Sequence, residues 1–128
     1  MTYYFSKTVA LSFDEAVTGV TEELKEEGFG ILTRIDVKET LRKKRDVDFR
    51  DYCILGACNP PFAYKALQTE DKIGLMLPCN VIVQDVADNK IEVAAIDPKA
   101  SMAAVENESL LEVAQEVGAK LQRVIDGI

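Results

Sequence analysis

Two prolines dictate where the middle of this chain must change structure. Proline has no amide hydrogen to give to a sheet, and its fixed φ suits the first turn of a helix. In Gly56-Ala57-Cys58-Asn59-Pro60-Pro61 an apolar strand pattern stops at Cys58 and a helix is expected to begin. Asn59 suits the N-cap there, and Pro60 loses no needed donor at the first helical position. In Leu77-Pro78-Cys79-Asn80-Val81 the proline interrupts an apolar run that starts at Ile73. The next strand is therefore expected to begin at Cys79 and to continue through Val81, Val83 and Asp85. A Cys-Asn pair thus stands at each junction, one closing a strand and one opening the next.

On either side of these junctions, strand and helix signals alternate. Residues Tyr3 to Ala10 carry aromatic and β-branched positions and read as a first strand. Ser12 and Glu15 have capping-box spacing and open a helix with the apolar face Phe13, Ala16, Val17, Val20 and Leu24, ended by Gly28. Gly19 inside that helix costs about 1 kcal/mol relative to alanine, which predicts a close packing contact there. Gly30 to Val37 alternates as a strand, with Ile31, Thr33, Ile35 and Val37 on one side and Arg34 and Asp36 on the other. A short polar helix from Lys38 to Arg45, anchored by Leu41, precedes a third strand from Tyr52 to Ala57.

The helix after Asn59 carries Phe62, Ala63, Ala66 and Leu67. Ala87-Asp88-Asn89-Lys90 reads as a hairpin connection to a last strand, Ile91 to Ile96, which Asp97-Pro98 ends. A connector with a helical turn then leads to a C-terminal helix from Glu108 to Asp126. Its stripe is Leu110, Ala114, Val117, Leu121 and Val124. Helices alternating with the early strands leave a thioredoxin-like arrangement open at this point.

The 128 residues are read as a single domain, 1–128, long enough to bury a real core. A formal net charge of −7 opposes nucleic acid as a partner, because that binding neutralises phosphates with Lys and Arg. No run approaches the roughly 18 apolar residues of a membrane span, and Met1 to Phe5 lacks the layout of a secretory signal. A cytoplasmic setting with three reduced cysteines is expected. The chain has no histidine and no Cys-x-x-Cys, which removes Cys/His zinc modules and the thioredoxin redox signature.

What remains for chemistry is sulfur. Cys58 precedes a helix N-terminus, where free amides and the helix dipole favour a thiolate. Cys79 opens the following strand. If the two meet, they can hold a soft ion such as Cu(I) or close reversibly as a disulfide, and Met102 can add a thioether to the same ion. Asn59 and Asn80 would line the cleft beside the thiols and orient a small ligand. Each of these residues also has a plain structural reading: buried cysteine is a common apolar filler, and asparagine a common turn former. Cys53, inside the third strand, reads as structural. The run Arg42-Lys43-Lys44-Arg45 reads as a solvated face or a complement to the acidic first helix. Asp97 reads as a cap.

Three stretches together resemble the domain of unknown function 302 family: Ile54 to Pro61, Ala63 to Leu67, and Ile73 to Val81. Asp97-Pro98 and Met102 also fall where that family has them. Cys53 departs from the pattern, which fits an incidental thiol. The resemblance implies an α+β domain, an antiparallel sheet backed by helices similar to the TATA-box-binding-protein-like fold, and a tendency to form homodimers. It implies no established activity. Three functional readings follow: a dimeric protein binding a small ligand or soft metal at a Cys58/Cys79 pocket, a thiol-based redox enzyme or sensor using Cys58, or a structural interaction module. Whether the chain is an enzyme stays open at this point.

Overall fold

The computed structural model describes residues 2–128, so Met1 of the opening segment lies outside them. The elements run β1 (Tyr4–Val9), α1 (Phe13–Glu26), β2 (Gly30–Asp36), α2 (Val37–Arg45), β3 (Tyr52–Cys58), α3 (Pro60–Thr69), a 3-10 turn (Asp71–Met76), β4 (Cys79–Ala87), β5 (Lys90–Ile96), α4 (Pro98–Ser101) and α5 (Glu108–Asp126). All five strands join one sheet in the order β1-β5-β4-β3-β2, and every neighbouring pair is antiparallel. A thioredoxin-like arrangement, which requires parallel pairs, is thereby ruled out.

Period-two alternation assigns each strand residue to a face. Cys53, Leu55 and Ala57 of β3 share one face with Cys79, Val81 and Val83 of β4 and with Val93 and Ala95 of β5. All of these are buried, under a layer in which α1 and α5 cross the sheet. The helices supply Ala16, Val20 and Leu24 from α1 and Leu110, Val117, Leu121 and Val124 from α5, all buried. At about 25 cal/mol per Å² of apolar area, this burial is the main favourable term in the fold. The opposite face carries Tyr52, Ile54, Ile82, Ala94 and Ile96, with no helix layer over it among the described residues.

Local chemistry accounts for the element ends. Ser12 Oγ accepts from the Glu15 amide at 3.1 Å, and the Ser12 amide donates to Glu15 Oε1 at 3.0 Å, completing a capping box. Gly28, at φ +87°, reverses the chain after α1. Asp36 caps α2 and Asp97 caps α4, each carboxylate accepting one amide hydrogen at 3.0 Å. Asn89 takes the left-handed conformation in the β4–β5 turn.

Two local expectations need correction. Leu32 is an extra residue in β2, because Ile31 pairs with Ala57 while Thr33 pairs with Gly56. This bulge shifts the alternation: Ile31 faces the helices, Thr33 and Ile35 face the other side, and Val37 already belongs to α2. Gly19 has open space where a side chain would sit, so no close contact explains it. The basic cluster on α2 is the solvated face expected of it, and its ion pairs are local. Lys43 meets Glu39 at 2.7 Å, and Arg42 meets Asp48 at 3.4 Å.

Gly56 is the glycine that a close approach requires. A Cβ there would collide with Thr33 Oγ1 and lie 2.8 Å from Pro78 Cγ. Gly56→Ala is expected to destabilise by about 1–3 kcal/mol through overpacking. Gly19→Ala should instead stabilise by up to about 1 kcal/mol, since only helix propensity changes. Urea unfolding of both variants tests the pair; equal signs would contradict the two environments.

Candidate functional site

The site grows from the β3–β4 ladder. Ala57 lies opposite Cys79, so Cys58 is the next residue along β3, close enough for its charge to act on the Cys79 thiol. Strict alternation would turn Cys58 to the far face. It does not, because β3 ends at Cys58 and the chain turns at once into α3. Ala57, Cys58 and Asn59 consequently all border one cavity of about 290 Å³. Cys58 is half-buried and Cys79 buried.

The remaining walls come from four other places. Helix α3 contributes Phe62, Ala63 and Ala66, and α5 contributes Val113, Ala114 and Val117. Leu77 and Pro78 enter from the segment before β4, and Phe29 and Leu32 from around the start of β2. Pro98 and Met102 close the end, with Met102 buried behind the capped turn of α4. Small residues on facing helices create the space: Ala63 and Ala66 stand toward Ala114 without filling the gap between them. Only the two thiols among the lining residues are ionisable, and Asn59 alone adds an amide.

Asn59 occupies the N-cap position of α3, yet its side chain does not cap the helix. Its Nδ2 donates instead to the Glu27 carbonyl oxygen at 3.1 Å. The amide packs on Gly28, where a Cβ would approach Nδ2 to 3.2 Å. Glu27 also receives Arg123 of α5 at 2.9 Å and Lys120 at 3.8 Å. One residue at the end of α1 thus ties the β3–α3 junction to α5.

Cys58, Asn59, Cys79 and Met102 are brought together here, and Asn80 is not. Asn80 follows Cys79 in a regular strand, so it points to the other face. There it borders a shallow hollow with Tyr4, Tyr52, Gln84 and Glu92. The expectation that both asparagines flank the thiols is corrected for Asn80. Cys53, also buried, does not border the cavity. The free amides expected beside Cys58 are fewer than a helix start ordinarily offers, with that of Phe62 remaining. Pro60 and Pro61 have none, and the Ala63 amide is committed to the Asn59 carbonyl oxygen at 2.9 Å.

The cavity residues of α5, with Leu32, Leu77 and Pro98, were not legible as site residues. Their sole sequence signal is the run of alanines on α3 and α5 faces. Asn107 also escaped notice; it accepts from the Ser109 amide at 3.2 Å and donates to the Thr69 carbonyl oxygen at 3.1 Å, fixing α5 against α3.

Five antiparallel strands backed by helices, with a sulfur-bordered cavity at one end, define an α+β protein of a particular known shape. The crystal structure of an uncharacterised conserved DUF302 protein from Bacillus stearothermophilus superimposes with a TM-score of 0.91. The two chains are 27% identical, and 98% of each is covered. The description of a domain of unknown function, DUF302, matches residues 5–128, and the chain belongs to that family. No curated protein matches it. No helix among the described residues is long and apolar enough to cross a membrane.

Burial pushes the Cys79 thiol up to about 11, and nearby Cys58 adds to the shift. At pH 8 a thiol of that acidity is about 0.1% thiolate, and the thiolate is the reactive form. Alkylation of Cys79 in the folded protein should therefore be very slow at pH 8 and rise about tenfold per pH unit toward 11. Peptide mass spectrometry after timed iodoacetamide exposure reads this directly. Rapid modification at neutral pH would contradict the buried placement.

Proposed function

We propose that this protein is a small-ligand binding protein whose site is the cavity bordered by Cys58, Asn59, Cys79 and Met102. The observation that carries the reading is the cavity itself: apolar walls, two thiols, and no charged side chain among its lining residues. Its volume lies near the small end of the roughly 300–1,000 Å³ range of ligand pockets. The fitting occupant is a small, largely uncharged molecule with an apolar body. Asn59 and the half-buried Cys58 are the groups available to orient a polar end.

A thiol enzyme is the weaker reading. Burial keeps Cys79 neutral near pH 7. The cavity offers Cys58 neither a base nor a cation among its lining residues. A reducing compartment such as the cytoplasm suits three unpaired cysteines. A homodimer is supported by the uncovered sheet face, where Ile54, Ile82 and Ile96 stand half-buried and Ala94 is buried.

The neutral fluorophore N-phenyl-1-naphthylamine is a suitable probe of the cavity. Ala63→Leu fills the space from a half-exposed helical position, where leucine is nearly as good a helix former as alanine. It is expected to weaken probe binding by about tenfold or more, equivalent to about 1.4 kcal/mol, while leaving the far-ultraviolet circular dichroism unchanged. Equal binding by both proteins would reject the cavity as the site. Sedimentation velocity should show a dimer that Ile82→Glu converts to monomer; a monomeric parent protein would remove that part of the reading.

A further inference from the structure

The chain has three cysteines and three methionines, and two of the former and one of the latter border one cavity. This clustering has a chemical consequence. No carboxylate or imidazole borders the cavity, so hard cations have nothing to bind: calcium and magnesium need several oxygen donors. Structural zinc sites take four Cys or His ligands and catalytic ones three that include His, and two thiols with a thioether supply neither set. Thiolate and thioether donors together select soft ions, of which Cu(I) is the first-row example.

The geometry points to a Cu(I) site on the cavity wall, built from the Sγ atoms of Cys58 and Cys79 and the Sδ atom of Met102. The three donors arrive from separate elements with independent supports. Cys79 is set by its pairing with Ala57, and Cys58 is set by the turn into α3. Met102 is set by its backbone amide, which donates a hydrogen bond to the Pro98 carbonyl oxygen at 2.9 Å, behind the Asp97 cap. On binding, the two thiols release their protons to solvent and become thiolates, while the thioether binds unchanged. Half-buried Cys58 leaves an edge of the site open to water, which gives the ion an entry path and solvates the excess negative charge. The apolar remainder of the cavity excludes competing oxygen ligands.

This inference rests on the reading of the cavity as an accessible binding site. Its test is competition for Cu(I) between the folded protein and bathocuproine disulfonate under anaerobic reducing conditions, read by the absorbance of the copper chromophore. The intact chain should withhold one equivalent. Cys58→Ser and Cys79→Ser should each weaken binding by about 100-fold, since even outer-shell changes cost about 10–100-fold. Met102→Leu conserves volume and isolates the thioether; it should cost about tenfold. Cys53→Ala should change nothing.

Equal copper retention by the intact chain and a folded Cys58→Ser/Cys79→Ser variant would overturn the site. So would a Met102→Leu variant that binds as tightly as the parent, or a comparable loss in Cys53→Ala. If the intact chain takes no copper but still binds N-phenyl-1-naphthylamine, the metal inference falls and the cavity reading stands. If it binds neither, both fall.

Discussion

The register between β3 and β4 is the constraint on which everything else rests. With Ala57 opposite Cys79, every alternate residue of the two central strands turns a buried side chain toward the helices. A one-residue slip of β4 would send Val81 and Val83 to the uncovered face and carry Cys79 with them, away from Cys58. Gly56 enforces the arrangement at the cavity end: Thr33 on one side and Pro78 on the other leave no room for a side chain. The same glycine therefore serves the packing of three segments and the meeting of two thiols.

Around that ladder, polar ties join the elements that border the cavity. Asn59 holds the start of α3 to the end of α1, and Asn107 holds the start of α5 to the end of α3. Both bonds are part-buried, and such bonds matter chiefly through the donor or acceptor that their loss leaves unpaired. The ion pairs of Glu27 with Arg123 and Lys120 run along the same seam. Arg123 is largely exposed, so solvent screens that pair and it serves alignment more than stability. The Arg123 guanidinium holds the Glu27 carboxyl below its usual range. Its contribution is thus present above the ordinary glutamate value and fades as pH falls through the depressed one.

Much of the framework was legible because its signals are local. The C-terminal helix runs from Glu108 to Asp126 as its stripe predicts, β4 starts at Cys79 because of Pro78, and the Ser12/Glu15 box opens α1. What stayed hidden depends on contacts between distant segments. The bulge at Leu32 has no signature in a sequence that alternates smoothly through it. Asn59 fits the cap position so well that its actual bond to Glu27, 32 residues earlier, could not be read. The sulfur residues could be singled out by type, but their common cavity depends on how α3 and α5 face each other. The gap comes from Ala63, Ala66 and Ala114, and small residues look the same in a tight interface as beside a hollow.

The account stands or falls on whether Cys58 and Cys79 meet at one place that a small molecule can reach. Dibromobimane, which becomes strongly fluorescent when both its ends have reacted with thiols, measures this in solution. Applied at pH 9 to the folded Cys53→Ala protein, it is expected to bridge Cys58 and Cys79, identified by mass spectrometry of the linked peptides. Single attachment at Cys58, with Cys79 untouched until denaturant is added, would contradict a shared and accessible site.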